Sequence, residues 1–188
     1  MGSWIALIAS TVIGSLVLLS FQRFSNDVRR EAYVETLDHL AYGNLDESKR
    51  LLEADFMRIG LGMNDPTVAA FTQATATDVT FKMDSDGNGV PETMRYYLST
   101  TAAAGATKNP NDKFLMRQIN GGTAQIRATG LTSFNIQYFD AAGNATAVLG
   151  AIRMLVVSLT MGSNFGADAD YPKLLWQGRF TPPGLVQQ

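Results

Sequence analysis

Met1-Gly-Ser-Trp-Ile-Ala-Leu-Ile-Ala-Ser-Thr-Val-Ile-Gly-Ser-Leu-Val-Leu-Leu-Ser-Phe-Gln22 decides the reading of this chain, because it carries no charged residue at all. A helix of that length is roughly 32 Å long and matches a bilayer core of about 30 Å. A secretory signal peptide would need a basic stretch ahead of the apolar run, and no Lys or Arg stands there. A buried helix of a soluble core rarely runs this long without a charge. Residues 1–22 therefore read as a membrane-compatible helix.

The pattern continues beyond the apolar run. Phe21, Phe24, Val28 and Ala32 recur at spacings of three and four, followed one position round by Tyr33, Leu37, Leu40 and Ala41. Asp27, Arg29, Arg30, Glu31, Glu35 and Asp38 fill the other faces. The spacing predicts one helix of about 40 residues, apolar in its first half and amphipathic in its second. Gly14–Ser15 is its weak point, since glycine inside a helix costs about 1 kcal/mol against alanine. Gly43 is expected to end it. Asn44 with Glu47 would then cap a second helix over 45–60, with Leu52, Phe56, Ile59 and Met63 on its buried side. The first charges, Arg23, Arg29 and Arg30, all follow the apolar run. By the positive-inside rule that places the remainder in the cytoplasm, unless Met1 is not the translational start and a basic leader preceded it. Both readings stand at this point.

All 32 charged residues lie in 23–188, about 19% of that stretch, and the net charge is −2. No basic run points to nucleic acid. With 46% hydrophobic residues the chain has ample core material, enough for one head domain over 23–188 behind the segment 1–22. The absence of cysteine removes disulfides, thiol catalysis and cysteine zinc sites.

After Pro66 the period changes to two. Val79–Met83, Met94–Leu98, Phe114–Ile119, Ala124–Ala128, Phe134–Phe139, Ile152–Met161 and Leu174–Phe180 read as strands. Asn120-Gly121-Gly122 and Ala141-Ala-Gly143-Asn144 read as hairpin turns. Ile152–Met161 is apolar on both faces and is expected to be a central strand covered on each side. Helix first and antiparallel strands after define an α+β fold. Thr100–Asn111 reads as a small-residue loop, and Phe180–Gln188 as a proline-stiffened tail.

The most chemically pointed segment is Asp84-Ser-Asp86-Gly-Asn88-Gly89-Val90-Pro-Glu92. Asp84, Asp86, Asn88, Gly89 and Val90 match positions 1, 3, 5, 6 and 7 of a calcium loop, and Glu92 matches position 9. Arg95 stands where the bidentate glutamate belongs, so a complete EF-hand is excluded. Two readings remain, a Ca²⁺ site and a metal-free polar turn. Asn164, Asp168 and Asp170 form a second polar loop with weaker spacing. His39 is the only histidine, and no nucleophile, metal-hydrolase, phosphate-loop or dinucleotide motif occurs. The expectation is a protein that is not an enzyme and has no small-molecule substrate.

Taken together, the layout resembles the type IV pilin and type II secretion pseudopilin superfamily, and more narrowly its larger minor-pilin members. The resemblance lies in the uncharged segment running into an amphipathic helix and in Leu51–Gly60 after it. It extends to the aspartate-rich hairpin from Val79 to Tyr97, and to Leu131–Asp140 followed by Ile152–Leu159. It implies a structural filament subunit. Such a subunit would be held in the inner membrane first and then assembled with copies of itself or related pilins into an extracellular or periplasmic filament. Met1, Trp4, Ile5, Leu7, Ile8, Val12, Gly14, Leu16, Leu19, Phe21 and Phe24 would make those contacts, with Gly14–Ser15 free to bend on packing. A mature chain beginning at Met1, its leader removed, is part of the same expectation. Ile5 departs from the family, which usually carries a glutamate there to pair with a neighbour's amine. The runner-up is a single-pass, membrane-anchored extracytoplasmic binding module, with calcium as a candidate ligand of its head and no cofactor required.

Overall fold

The computed structural model describes residues 2–65, 67–105, 109–162 and 173–186. Its contacts divide the chain into two units, Met1–His39 and Leu40–Gln188. A single helix, α1 (Gly2–Phe56), contributes to both.

Within the first unit, α1 is helical through Gly14 without interruption, and a Cβ at that position would meet nothing within 4 Å. Three hydroxyls of this stretch turn back onto the helix. Ser10 donates to the Leu7 carbonyl at 2.9 Å, Thr11 to Ile8 at 2.8 Å and Ser15 to Thr11 at 2.8 Å. These three side chains thus find acceptors on their own helix, as a helix in an apolar medium favours.

The predicted break at Gly43 does not occur, nor does the second helix capped by Asn44. Gly43 sits at an exposed helical position, where its penalty of about 1 kcal/mol is spread over a cooperative 55-residue helix. The stretch after it is bound by its own contacts. Ser48 donates to the Asn44 carbonyl at 2.6 Å, and Arg50 pairs with Asp46 at 2.8 Å. The helix ends at Phe56, and the chain reverses through Gly60 and Gly62 at φ of +79° and +81°. These two glycines close the element as the sequence indicated.

The second unit is an antiparallel sheet of seven strands in sequential order: β1 (Phe71–Ala74), β2 (Asp78–Met83), β3 (Glu92–Leu98), β4 (Lys113–Ile119), β5 (Gln125–Phe139), β6 (Met154–Gly162) and β7 (Lys173–Phe180). With α1 it makes the α+β layout expected. The β4–β5 hairpin turns on Asn120 and Gly121 at φ of +50° and +69°, the pair of left-handed residues a two-residue turn needs.

β5 is one 15-residue strand where the sequence suggested two. Its first part pairs with β4 from Gln125 to Leu131, and its last part pairs with β6 from Leu131 to Phe139, so Leu131 is the residue both neighbours share. Gly130 at φ +75° precedes that residue and a bulge between Leu131 and Ser133 follows it. This handover curls the sheet, so that the Ile136 amide donates to Ala76 and the Tyr138 hydroxyl to Thr75, both at 2.8 Å.

Alternation sorts the faces. Val79, Phe81 and Met83 of β2 are buried, and so are Leu155, Val157, Leu159 and Met161 of β6. β6 lies between β5 and β7, with one face fully buried and the other, carrying Met154 and Val156, half-buried. Leu52, Phe56 and Ile59 close the core. The Phe56 ring stands edge-on to Phe81, Tyr96 and Phe180, each at 5.5 Å.

The sequence reading did not contain β1 or the C-terminal turn α2 (Pro183–Val186). α2 brings Gly184 so close to the Gly60 turn that a Cβ on Gly184 would lie 2.5 Å from the Gly60 carbonyl carbon. Leu185 is buried beside it. Leu185 thereby joins that stretch to the core. The second polar loop, Asn164, Asp168 and Asp170, lies outside the described residues.

Candidate functional site

Two features remain after the core is accounted for. The first is the apolar surface of α1. Trp4 (74% exposed), Ile5, Leu7, Ile8, Val12, Leu16, Leu19, Phe21 and Phe24 (66%) all stand open to solvent. They point in every direction around the helix, as the absence of a polar face in 3–22 requires. Met1 lies outside the described residues. The stretch Ser3–Tyr33 is long and apolar enough to cross a membrane and is 0% buried within the chain. Membrane anchors and signal sequences share that property.

The second feature is the loop between β2 and β3. Gly87 and Gly89 adopt φ of +81° and +83°, which lets two amides point inward. The Asp84 carboxylate accepts the Gly87 amide at 2.7 Å and the Gly89 amide at 2.9 Å. Asp86 accepts from the Asn88 amide and side chain at 3.1 and 2.9 Å. Glu92 accepts from the Ser85 amide and hydroxyl at 2.7 and 2.8 Å. Carboxylate oxygens of Asp84, Asp86 and Glu92 lie within 4.8 Å of one another.

The loop therefore brings together the three carboxylates among its five predicted ligands, Asp84, Asp86 and Glu92. Of the other two, Asn88 and Val90, the Asn88 Oδ1 accepts the Val90 amide at 2.7 Å and so serves the turn. Arg95, at the place of a bidentate acid, is committed to Asp78 through contacts of 3.0 and 2.6 Å. The donor set fits a cation in part, and the loop's own amides already satisfy the carboxylates.

Sequence reasoning missed what holds this loop. Arg58, just past α1, donates to the carbonyls of Asp84 and Ser85 at 2.6 and 3.0 Å. The Asp84 amide donates to Leu61 at 2.8 Å, and a Cβ on Gly62 would lie 2.6 Å from the Asp84 Cβ. No local pattern signals a contact across 26 residues.

The electrostatics follow from these bonds. The Gly89 amide holds the Asp84 carboxyl below its ordinary range, against the opposing effect of burial. The Ser85 amide and hydroxyl do the same for Glu92. Both pKa values are lower in the folded state, so their contribution is present above the unfolded values and lost as pH falls through the folded ones. The melting temperature of the head should hold above about pH 5 and fall progressively below about pH 4. Asp84→Asn should flatten that fall, and an unchanged acid profile in a thermal scan would contradict the assignment.

No protein-family model matches this chain, and no curated protein is detectably similar to it.

Proposed function

We propose that the chain is a non-enzymatic structural subunit of a type IV pilus-like or pseudopilus filament, held in a membrane before assembly. One observation carries the reading: an uncharged helical surface from Ser3 onward that the chain leaves wholly uncovered. An apolar area of that size in water leads to aggregation, so it needs lipid or other subunits around it. Identical helices in a filament core would replace lipid without adding a charge, and Ile5 means that they register without the usual carboxylate–amine pair. The test is electron microscopy of the full chain after detergent removal and of sheared cell-surface material, with mass spectrometry of Met1. Filaments with a processed, N-methylated Met1 support the proposal. An unprocessed, detergent-soluble monomer overturns it.

The second reading, an anchored module with a calcium-holding head, is favoured by the convergence of Asp84, Asp86 and Glu92. Because their oxygens are already hydrogen-bonded within the loop, adding ~5 mM calcium is expected to move the melting temperature by less than about 1 °C. A rise of several degrees that EGTA reverses and Asp86→Ala removes would instead favour the second reading.

A further inference from the structure

Just past Gln22 the exposed helix changes character. Residues 23–30 carry Arg23, Arg29 and Arg30 and one acid, Asp27, a net charge of +2, and Glu31 and Glu35 follow. Arg23 and Arg29 are exposed, and so are Phe24 and Val28 among them. On a helix of 3.6 residues per turn Arg23 and Arg30 lie within about 20° of each other, with Arg29 about 100° away from Arg30. The charges form a partial collar rather than a scatter.

Its distance along the axis matches a bilayer border. At 1.5 Å per residue Arg23 lies about 29 Å from Trp4, against a hydrocarbon core of about 30 Å. With the Trp4 indole at one interface, where such rings settle, Arg23 reaches the other. Arg29 stands about 9 Å further out, close enough for its long side chain to bend back to a headgroup layer roughly 6 Å deep. Phe24 and Val28 would rest at the same boundary.

We infer that this collar binds the headgroups of anionic lipids, so that the helix selects negatively charged lipid around its exit from the membrane. The inference rests on the reading of the Ser3–Tyr33 stretch as membrane-crossing. Glu31 and Glu35 set its outer limit, because a second turn of basic residues would extend the attraction and these acids reverse it. Exposed charges of this kind are screened by salt, with a Debye length of about 10 Å at 0.1 M.

The full-length chain reconstituted in phosphatidylcholine vesicles, probed with spin-labelled phosphatidylglycerol or spin-labelled phosphatidylcholine, tests this directly. Phosphatidylglycerol should be preferred about 3–10-fold in the motionally restricted shell at low salt, falling towards parity near ~1 M salt. The double variant Arg23→Gln/Arg29→Gln should lose the preference, while Arg23→Lys/Arg29→Lys should keep it. Equal restriction of both lipids, or a preference unchanged in the glutamine variant, overturns the inference. Vesicle flotation separates the two levels. A chain that floats without lipid preference sinks only this inference, whereas one that does not float in either lipid sinks the membrane reading with it.

Discussion

Asp55→Ala should lower the stability of the head by about 3–5 kcal/mol, the range for removing one partner of a buried ion pair. Asp55 lies on the last turn of α1 and is 7% exposed. One oxygen, Oδ2, accepts from the Tyr96 hydroxyl at 2.5 Å and from Arg117 Nε at 2.7 Å. Truncation leaves a phenol and a guanidinium without their acceptor beneath the helix. Burial, followed by the charge of Asp55, already pushes the Tyr96 hydroxyl far above the ordinary phenol range, so it cannot ionise to adapt.

Controls separate charge from shape. Tyr96→Phe removes one hydrogen bond and should cost about 1 kcal/mol. The double variant Asp55→Ala/Arg117→Ala should cost clearly less than the sum of the two single changes, because the second removes the charge the first strands. Denaturant titration of the full chain in mild detergent, followed by circular dichroism, gives all four values. A loss below about 1 kcal/mol in Asp55→Ala would mean that water reaches the pair, as it does at exposed ion pairs.

The same network shows where the sequence stops being readable. Phe56 and Leu52 are legible as core, because spacing on one helix encodes their shared side. Asp55, between them in sequence, carries no local sign of its burial. Its partners lie 41 and 62 residues away, and nothing local announces them. Arg58 is hidden for the same reason. The aspartate-rich loop was legible in outline, since Gly87 and Gly89 supply backbone angles that other residues resist. Whether its acids bind a cation or their own amides depends on where the oxygens point, and spacing does not encode that.

Local rules also failed where a longer-range preference overrode them. Gly43 has every mark of a helix end, yet the ladder runs through it because breaking a long helix loses more hydrogen bonds than one glycine weakens. Gly130 and the residues around it interrupt the alternation of β5, so its two ends read as separate strands. The chain places there the residue, Leu131, at which pairing passes from β4 to β6.

The other large effect concerns the apolar helix. Val12→Asp should abolish both membrane insertion and filament formation. Val12 lies at the midpoint of the uncharged run and is 52% exposed, with no group of its own chain to cover a new charge. An aspartate at the centre of a crossing helix costs about 2.5–3.5 kcal/mol for insertion, roughly a hundredfold in partition. The acid cannot escape by reaching an interface. At 1.5 Å per residue it is about 15 Å from either end of the run, far beyond the length of its side chain. In a filament the penalty recurs in every subunit, because each copy would bring a buried carboxylate with no Arg, Lys or His in 1–22 to receive it. Val12→Leu, which changes shape without charge, should insert and assemble as the parent does. Flotation with vesicles reads the first loss and electron microscopy the second. A Val12→Asp chain that still floats and still forms filaments would show that this stretch is buried neither in lipid nor in other subunits. If it floats but forms no filaments, the carboxylate is tolerated in lipid and the helix contacts between subunits are the more demanding environment.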